Sequence, residues 1–336
     1  QIGVSKHLPS GGFSNQSFKG LIADIHVGLL GNICKNWNLV RANVTKKRCF
    51  LIAVGDLLPL FFAWSSTGEY GFVGTPKSDY TWRTDQGSSF SDYYHCIKGT
   101  EWDPWEWSLM KVSRCKFVAV RDKLTSRGLR KKGVKALYLG NPMMDGMQKT
   151  ACPPSLNSPR RILLLCGSRM PEALSNFERL LACVSDMELN QPVAFLVAVG
   201  SQPKIFALGE ILRSKGYAQL RSSLMDFSSQ SCWSKGTQLL FIGTGRFSSW
   251  AGWAEVGITA AGTATEQLVG LGIPAVSLAG SGPQFKYPFA IRQSRLLGGA
   301  VEVFKDTKAL RARVILLLQN HELRNELGLV GMKRMG

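Results

Sequence analysis

The segment from Thr259 to Ala290 carries the strongest chemical signal in this sequence. Its pattern predicts a buried strand, a Gly-Thr-Ala-Thr turn, a helix that carries Glu266, a second strand and a loop of glycine and proline. A strand that ends in small residues at the start of a helix forms an anion site, because free backbone N–H groups and the helix dipole favour negative charge there. Gly262 allows a ligand to approach the backbone closely, and Glu266 is placed to accept hydrogen bonds from a ribose diol beside a diphosphate. An ordinary strand–turn–helix of an α/β core is the alternative.

A second turn of this kind lies earlier in the chain. An apolar strand ends at Gly167-Ser168-Arg169, and Pro171 with Glu172 marks a helix start, since proline is favoured at the first helical position and acids in the first turn. Arg169 would lie at that helix N-terminus, where its planar fork can hold a phosphate in two places. A surface arginine paired with Glu172 is the alternative. We expect both turns to face the same cleft.

Apolar runs that alternate with amphipathic ones predict an α/β protein with parallel sheets. Strands are predicted at residues 49–54, 70–73, 117–120, 136–139, 161–166, 193–199, 239–242, 257–261 and 275–278. Helices are predicted at residues 171–187, 204–215 and 266–271, and after a cap at Asp122.

Residues 148–160 contain three prolines and few apolar side chains, so they are predicted to link two domains, residues 1–147 and 161–336. A cleft at the carboxyl ends of the strands is where open α/β sheets bind ligands. The usual first strand and glycine turn of the first domain are missing, and both ends interrupt recognisable patterns. We therefore expect a fragment truncated at both termini.

The 336-residue chain carries a net charge of +18. Diffuse positive charge suits a phosphate-bearing ligand, an anionic membrane surface or nucleic acid. The densest basic segment, residues 127–135, is either a solvated helix end or a patch that rests on acidic lipid. Nucleic acid ranks last, because the basic residues do not interleave with exposed aromatic residues in a recognisable module.

The eight cysteines form no C-x-x-C pair and the four histidines show no metal-ligand spacing, so neither a disulfide framework nor a metal site is predicted. The most apolar window, residues 50–64, is short and interrupted by Gly55, Asp56 and Pro59. No signal peptide is recognised. A cytoplasmic protein with reduced cysteines is expected.

The two turns together resemble the carboxyl-terminal signature of lipid-A-disaccharide synthase. That family pairs G-S-R-x-x-E with S-G-T-A-T-L-E, and this chain has Gly167 to Glu172 and Ala261 to Glu266 at those places. Further motifs look like those of a related family in cyanobacteria and plastid-bearing organisms. They are PSGGF at residues 9–13, AVGD at 53–56, FVGTPKSDY at 72–80, PWEWSLM at 104–110 and GNPMMDGM at 140–147.

The resemblance implies a GT-B fold, with two Rossmann-like domains that face a cleft. It also implies inverting transfer of a sugar of the N-acylated glucosamine type from a UDP-sugar to a lipid-linked acceptor, as in lipid A biosynthesis. No metal or other cofactor is implied, and the expected location is the inner face of a membrane, as a peripheral protein. The implied donor residues are Gly167, Ser168, Arg169 and Glu172 in the diphosphate-side loop, Gly262, Thr263 and Thr265 around phosphate, Glu266 on the ribose, and Gln284 in the following loop.

Two departures from the family pattern concern the acceptor side. The synthase has an acidic G-I-D-x-P-D-F motif; here Asp56 matches the first acid, but Leu60 replaces the second. Asp56 is a candidate for the base that inverting transfer needs, or else an N-cap for the helix that follows. Asn141 stands where the family has histidine. The acceptor could therefore differ from that of lipid A synthesis.

Aromatic and basic residues of the first half have two interpretations each. Trp102, Trp105 and Trp107 with Met110 either pack a long segment onto the domain, which we favour, or lie at a bilayer interface. Lys77, in a turn after a strand, is either a cation of the cleft or a surface lysine.

Two other functions remain possible at this level. A UDP-N-acetylglucosamine 2-epimerase-like isomerase would share the fold and a similar G-N-x-x-x-D turn, although the chain lacks a convincing set of charged groups around the sugar. A non-catalytic protein that binds a nucleotide-sugar or lipid at the membrane surface is compatible with the altered motif at Asp56 and the charge of +18.

Overall fold

The computed structural model describes residues 22, 24–47, 49–83, 89–185, 187, 189, 191–220, 228–280 and 286–336. The chain divides into two compact units, Gln1–Pro142 and Met143–Gly336. The predicted linker at residues 148–160 lies within the second unit, where Leu156 is buried and Trp253 Nε1 donates a hydrogen bond to Thr150 Oγ1 at 2.9 Å.

The first unit has a parallel sheet in the order β1-β2-β3-β4. Its strands are β1 (Leu51–Val54), β2 (Tyr70–Gly74), β3 (Cys115–Val120) and β4 (Ala136–Leu137). Its helices are α1 (Leu29–Lys47), α2 (Leu57–Ser65), α3 (Phe90–Lys98), α4 (Pro104–Lys111) and α5 (Lys123–Lys131). The predicted cap of α5 is confirmed, because the Asp122 carboxylate accepts the N–H of Thr125 at 2.8 Å.

The core of the first unit lies between this sheet and its helices. Trp102 and Met110 are buried in it with Leu60, Tyr70 and Phe72, so the packing interpretation of these two residues is confirmed. Trp102 meets Phe72 edge-on, with ring centroids 5.5 Å apart. Trp105 differs from the prediction, since it faces solvent.

Asp79 lies in a buried polar network next to α5. Its Oδ1 accepts hydrogen bonds from Thr100 Oγ1 at 3.0 Å and from the Glu101 N–H at 2.7 Å. Its Oδ2 is buried without a hydrogen-bond partner among the described residues, and a Cβ added at Gly128 would lie 2.2 Å from it. Burial raises the pKa of Asp79 to about 6, because an ionised carboxylate is poorly solvated there.

This raised pKa predicts that the free energy of unfolding falls as pH rises from about 4 to about 6. Across that window the native protein holds a proton on Asp79 that the unfolded chain has released, so ionisation favours the unfolded state. The variant Asp79→Asn should lose this pH dependence, which is worth up to about 3 kcal/mol. Urea unfolding at pH 4 and pH 7.5 measures it, with the exposed Asp145→Asn as the control. Parallel pH profiles for wild type and Asp79→Asn would contradict the assignment.

The second unit has an eight-stranded sheet in the order β12-β11-β10-β5-β6-β9-β8-β7. Its strands are β5 (Arg160–Leu165), β6 (Val193–Val199), β7 (Ala218–Leu220), β8 (Ser231–Lys235), β9 (Gln238–Thr244), β10 (Val256–Thr259), β11 (Ala275–Leu278) and β12 (Val301–Phe304). Its helices are α6 (Glu172–Val184), α7 (Ile205–Ser214), α8 (Phe247–Trp250), α9 (Thr263–Gly270), α10 (Tyr287–Leu296), α11 (Thr307–Gln319) and α12 (His321–Met335).

The order of the strands reverses between β5 and β10. The chain runs from β5 to β6 on one side, and from β10 to β11 on the other, while β5 and β10 are hydrogen-bonded neighbours. The helices that follow them pack against different neighbours, α6 against α7 and α11, and α9 against α12. This divergence is a topological switch point, where open α/β sheets leave a crevice at the carboxyl ends of their strands.

Three features of the second unit differ from the prediction. The edge strands β7 and β8 pair antiparallel and were not predicted. The helix predicted at residues 171–187 ends at Val184, whose carbonyl accepts a hydrogen bond from Gln238 Nε2 at 2.9 Å. The helix predicted at residues 266–271 begins earlier, at Thr263, because Gly262 occupies the N-cap position.

Among the described helices, none combines the length and the hydropathy that a membrane span requires.

Candidate functional site

The two predicted turns follow neighbouring strands at the switch point. β5 and β10 are paired in parallel with Leu165 opposite Thr259, and the Ala260 N–H donates to the Leu165 carbonyl at 2.7 Å. The turns that begin at Gly167 and Gly262 therefore leave the same edge of the sheet side by side. The sequence predicted that both turns face one cleft, and within the second unit they lie at one edge of the sheet; their joint contact with a diphosphate stays a prediction.

Gly167 lets the two turns approach each other. Its φ is +84°, a conformation that side chains disfavour, and a Cβ there would lie 3.1 Å from the Ala260 carbonyl oxygen. The neighbouring Cys166 is buried, which raises the pKa of its thiol to about 12. Its thiol is therefore protonated at neutral pH.

Ser168, Arg169 and Glu172 continue this turn into α6. Ser168 and Arg169 are exposed, and the Arg169 carbonyl accepts the N–H of Ala173 at 2.8 Å, which fixes the entry to the helix. Partial burial lowers the pKa of the Arg169 guanidinium, and the charge of Glu172 opposes that shift. Arginine nevertheless stays charged at neutral pH. The turn thus presents a fixed positive charge at the edge of the sheet.

The Gly262 turn presents backbone donors. The N–H groups of Thr265 and Glu266 both donate to the Gly262 carbonyl, at 3.1 and 3.2 Å. The N–H groups of Thr263 and Ala264 have no backbone acceptor among the described residues. These two donors lie at the positive end of the α9 dipole, which makes them suitable for an anion.

The space above Gly262 is open. A Cβ added there would meet no atom within 4 Å. Packing therefore does not require glycine at this position. Close approach of a ligand to the turn is a physical reason for a glycine there.

Two side chains donate hydrogen bonds to backbone carbonyls of this turn. Thr265 is fully buried, and its hydroxyl donates to the Ala261 carbonyl at 2.6 Å. Gln293 of α10 donates to the Gly262 carbonyl at 3.0 Å. The Thr265 hydroxyl proton is thus engaged within the protein, so the exposed Thr263 is the better placed hydroxyl for a ligand. The role of Thr265 toward phosphate stays a prediction.

Glu266 lies in the first turn of α9 with its side chain partly exposed. It follows the two unengaged amides directly, so its carboxylate lies on the same helix end. Gln267 beside it points elsewhere, because its Nε2 donates to the Met143 carbonyl at 2.8 Å. Gln284, also predicted to contact the donor, lies outside the described residues.

Sequence reasoning missed three supporting residues of this edge. Asn176 of α6 is buried and donates to the Cys166 carbonyl at 3.2 Å, and Arg179 donates to the Ala279 carbonyl after β11. Gln293 is the third. The sequence indicates Asn176 only weakly, as a polar residue within the apolar stripe of α6. Arg179 and Gln293 lie on partly polar helix faces, and the sequence gives no indication of their roles.

Asp56, in the first unit, lies at the N-cap position of α2. Its side chain is exposed and makes no cap hydrogen bond, so the structural alternative for this residue is not observed. Its role as a base stays a prediction.

Lys77 differs from the surface-lysine interpretation, whereas its role as a cation of the cleft stays a prediction. It is half-buried, forms an ion pair with Glu106 and lies 5.0 Å from the centroid of the Trp102 ring. These contacts tie the turn after β2 to the first turn of α4, so Lys77 has a structural partner.

No group of three or more histidine, cysteine or acidic side chains that could hold a metal ion occurs within the described ranges.

Solved structures resemble this chain at low sequence identity. A Listeria monocytogenes protein assigned as a UDP-N-acetylglucosamine 2-epimerase is 15% identical, with a TM-score of 0.55 over 89% of this chain and 73% of that one. MnaA of S. aureus, solved with UDP, is 12% identical, with a TM-score of 0.51 over 90% and 74%. The UDP-GlcNAc 2-epimerase of Neisseria meningitidis, bound to UDP-GlcNAc, is 13% identical, with a TM-score of 0.51 over 99% and 81%.

These comparisons confirm the predicted fold class, an α/β protein of GT-B type with two Rossmann-like domains. No protein-family model matches the chain, and a comparison with curated proteins finds no match either. The relation to lipid-A-disaccharide synthase stays a resemblance of motifs.

Proposed function

We propose that this protein is an inverting glycosyltransferase that uses a UDP-sugar, of the lipid-A-disaccharide synthase type. It would move a sugar of the N-acylated glucosamine type to a lipid-linked acceptor, in the cytoplasm, at the inner face of a membrane. The observation that supports the proposal is the pair of turns after β5 and β10, which present an arginine and unengaged amides side by side at the switch point.

The donor would bind with its diphosphate at the end of α9. The N–H groups of Thr263 and Ala264 donate to phosphate oxygens, and Arg169 offers a bidentate contact from the neighbouring turn. Glu266 accepts hydrogen bonds from the two ribose hydroxyls, one turn along the helix. The two solved structures with UDP or UDP-GlcNAc bound support a ligand of this class.

The reaction would form one bond and break one. The acceptor hydroxyl oxygen attacks the anomeric carbon from the face opposite the diphosphate, and the bond from that carbon to the diphosphate oxygen breaks. The diphosphate gains negative charge as UDP leaves, which the α9 dipole and Arg169 stabilise. Asp56 is the candidate that takes the acceptor proton.

Epimerisation of the UDP-sugar is the second candidate. It is favoured by one observation, that the neighbours named above include proteins assigned as 2-epimerases. Incubation with UDP-GlcNAc alone distinguishes the two, since an epimerase changes the sugar without an acceptor, whereas a transferase leaves it unchanged until an acceptor is added.

The test of the proposed function is a mass-spectrometric screen of UDP-sugars with a native lipid extract. We expect UDP release and a new glycolipid for at least one UDP-sugar, with no product when the lipid is omitted. UDP binding without any sugar transfer, across a full panel of donors, would contradict the transferase assignment.

A further prediction concerns Arg169. The variant Arg169→Ala should weaken UDP binding about tenfold or more, because a charge-assisted contact to phosphate is lost, while binding of uridine should not change. Isothermal titration calorimetry measures both, and Arg213→Ala, an exposed arginine of α7, is the control. Equal losses for UDP and uridine would place Arg169 away from the diphosphate.

A further inference from the structure

Helix α3 (Phe90–Lys98) is oriented with its apolar side toward solvent. Phe90, Tyr93, Tyr94 and Ile97 are exposed, Phe90 at 88% and Ile97 at 69%. Their spacing places them along one side of the helix. We call these four residues the α3 stripe.

The buried side of α3 is polar, and its contacts fix the orientation. Lys98 is buried and donates to the Glu101 carbonyl and to Asp103, and Asp92 accepts the Ser89 N–H in a capping box. His95 is buried too, with its Nε2 3.6 Å from Glu101 Oε2. Turning the α3 stripe inward would break these contacts of Asp92, His95 and Lys98. The exposure of the stripe therefore follows from the polar contacts on the opposite side of the helix.

The exposed surface continues onto α4. Tyr94 donates a hydrogen bond from its hydroxyl to Asp103 Oδ1 at 3.1 Å, and the exposed Trp105 lies two residues beyond Asp103. Aromatic residues with one polar and one apolar end are those that proteins place at the level of lipid headgroups.

Basic residues lie next to this surface. Residues 127–135, the basic run, contain five arginines and lysines, of which Arg127, Arg130, Lys131 and Lys135 are exposed. A Cβ at Gly128 would lie 3.2 Å from the Gly99 carbonyl at the end of α3. Lys132 Nζ lies 5.3 Å from the centroid of the Trp107 ring of α4. Positive charge thus borders an exposed apolar stripe within the same unit.

We propose that the α3 stripe and the basic run form a docking surface for an anionic lipid bilayer. The stripe inserts at the headgroup level and the basic run attracts acidic headgroups, two signals that together give stable attachment. The charge of the neighbouring surface favours lipid over an apolar protein partner. The inference rests on the proposed function only for the reason why the protein would contact a membrane. The contact itself can be tested independently, because vesicle binding can be measured without a sugar donor.

The test is sedimentation of the protein with vesicles of phosphatidylcholine containing phosphatidylglycerol, and with vesicles of phosphatidylcholine alone. We expect binding to the anionic vesicles only. Phe90→Ser combined with Ile97→Ser should reduce the partition constant at least about tenfold. The matched control is Phe206→Ser, which removes a side chain exposed at 75% from the second unit and should leave binding unchanged.

The charge contribution has its own pair of variants. Arg127→Glu combined with Lys131→Glu should reduce the partition constant about tenfold or more, whereas Lys308→Glu combined with Lys333→Glu, the same charge change at exposed sites of the second unit, should have a smaller effect. UDP binding and the unfolding transition of each variant verify that it is folded.

Three results would overturn the proposal. They are a wild-type protein that does not sediment with anionic vesicles, equal losses in the stripe and control variants, and a concentration-dependent dimer that Phe90→Ser abolishes. The last result would assign the stripe to a protein interface. Since none of these measurements involves sugar transfer, failure here leaves the transferase proposal standing.

Discussion

Glu266→Ala is expected to weaken UDP binding about 100-fold while the protein stays folded. In the proposed site the carboxylate accepts hydrogen bonds from two ribose hydroxyls, and each hydrogen bond to a charged group contributes about 1.5–3 kcal/mol. At the lower end of this range, loss of both corresponds to roughly two orders of magnitude in the dissociation constant. Isothermal titration calorimetry with UDP measures the change, and uridine should lose affinity as well, in contrast with Arg169→Ala.

The control for Glu266 is Glu322→Ala. Glu322 lies in the first turn of α12, so its removal takes away an acid that stabilises a helix N-terminus in the same unit. UDP affinity should not change. Glu266→Gln should fall between wild type and Glu266→Ala, because the amide keeps one acceptor oxygen. A wild-type affinity in Glu266→Ala would remove this residue from the site.

Gly262→Val is expected to reduce UDP affinity by a similar factor through steric exclusion. The new side chain would occupy the space over the turn, which no atom of the protein approaches within 4 Å, and would hold the diphosphate away from the amides of Thr263 and Ala264. The loss of affinity does not depend on a clash within the folded protein, because no atom lies where the new side chain would stand. Calorimetry measures the affinity, and urea unfolding of the same preparation verifies that the variant is folded.

Gly31→Ala is the control for added bulk. Gly31 lies in α1 of the first unit, also with no atom near its Cβ position, so UDP affinity should be unchanged and stability should rise slightly. If Gly262→Val bound UDP as well as wild type does, the diphosphate would lie elsewhere. If it failed to fold, Gly262→Ala would repeat the test with a smaller side chain.

The fold was predictable where a segment is uniformly apolar. β6 and β11 lie at the predicted positions because every residue of both strands is buried, as in a sheet covered on two faces. β7 and β8 were missed because they pair antiparallel at the edge of the sheet, and because two of the three residues of β7 are exposed, so that its pattern resembles a loop. Strand order is also absent from local sequence, so the position of the switch point could be inferred only from the two glycine turns that follow β5 and β10.

Only the backbone turns of the site could be predicted from the sequence. Gly167 and Gly262 mark turns by residue type alone, and each follows its strand as expected. The contacts that support these turns join distant segments, such as Gln293 with Gly262 and Arg179 with Ala279. Lys77 shows the same limit, since its partner Glu106 belongs to a different helix. Pairings of this kind are set by tertiary packing, which residue spacing does not encode.

A crystal structure of the complete chain with UDP tests the central claim most directly. The account predicts diphosphate oxygens within hydrogen-bonding distance of the N–H groups of Thr263 and Ala264, with Arg169 on the same phosphates and Glu266 on the ribose. UDP bound at any other place in the second unit, or bound here with Glu266 turned away from the ribose, would contradict it.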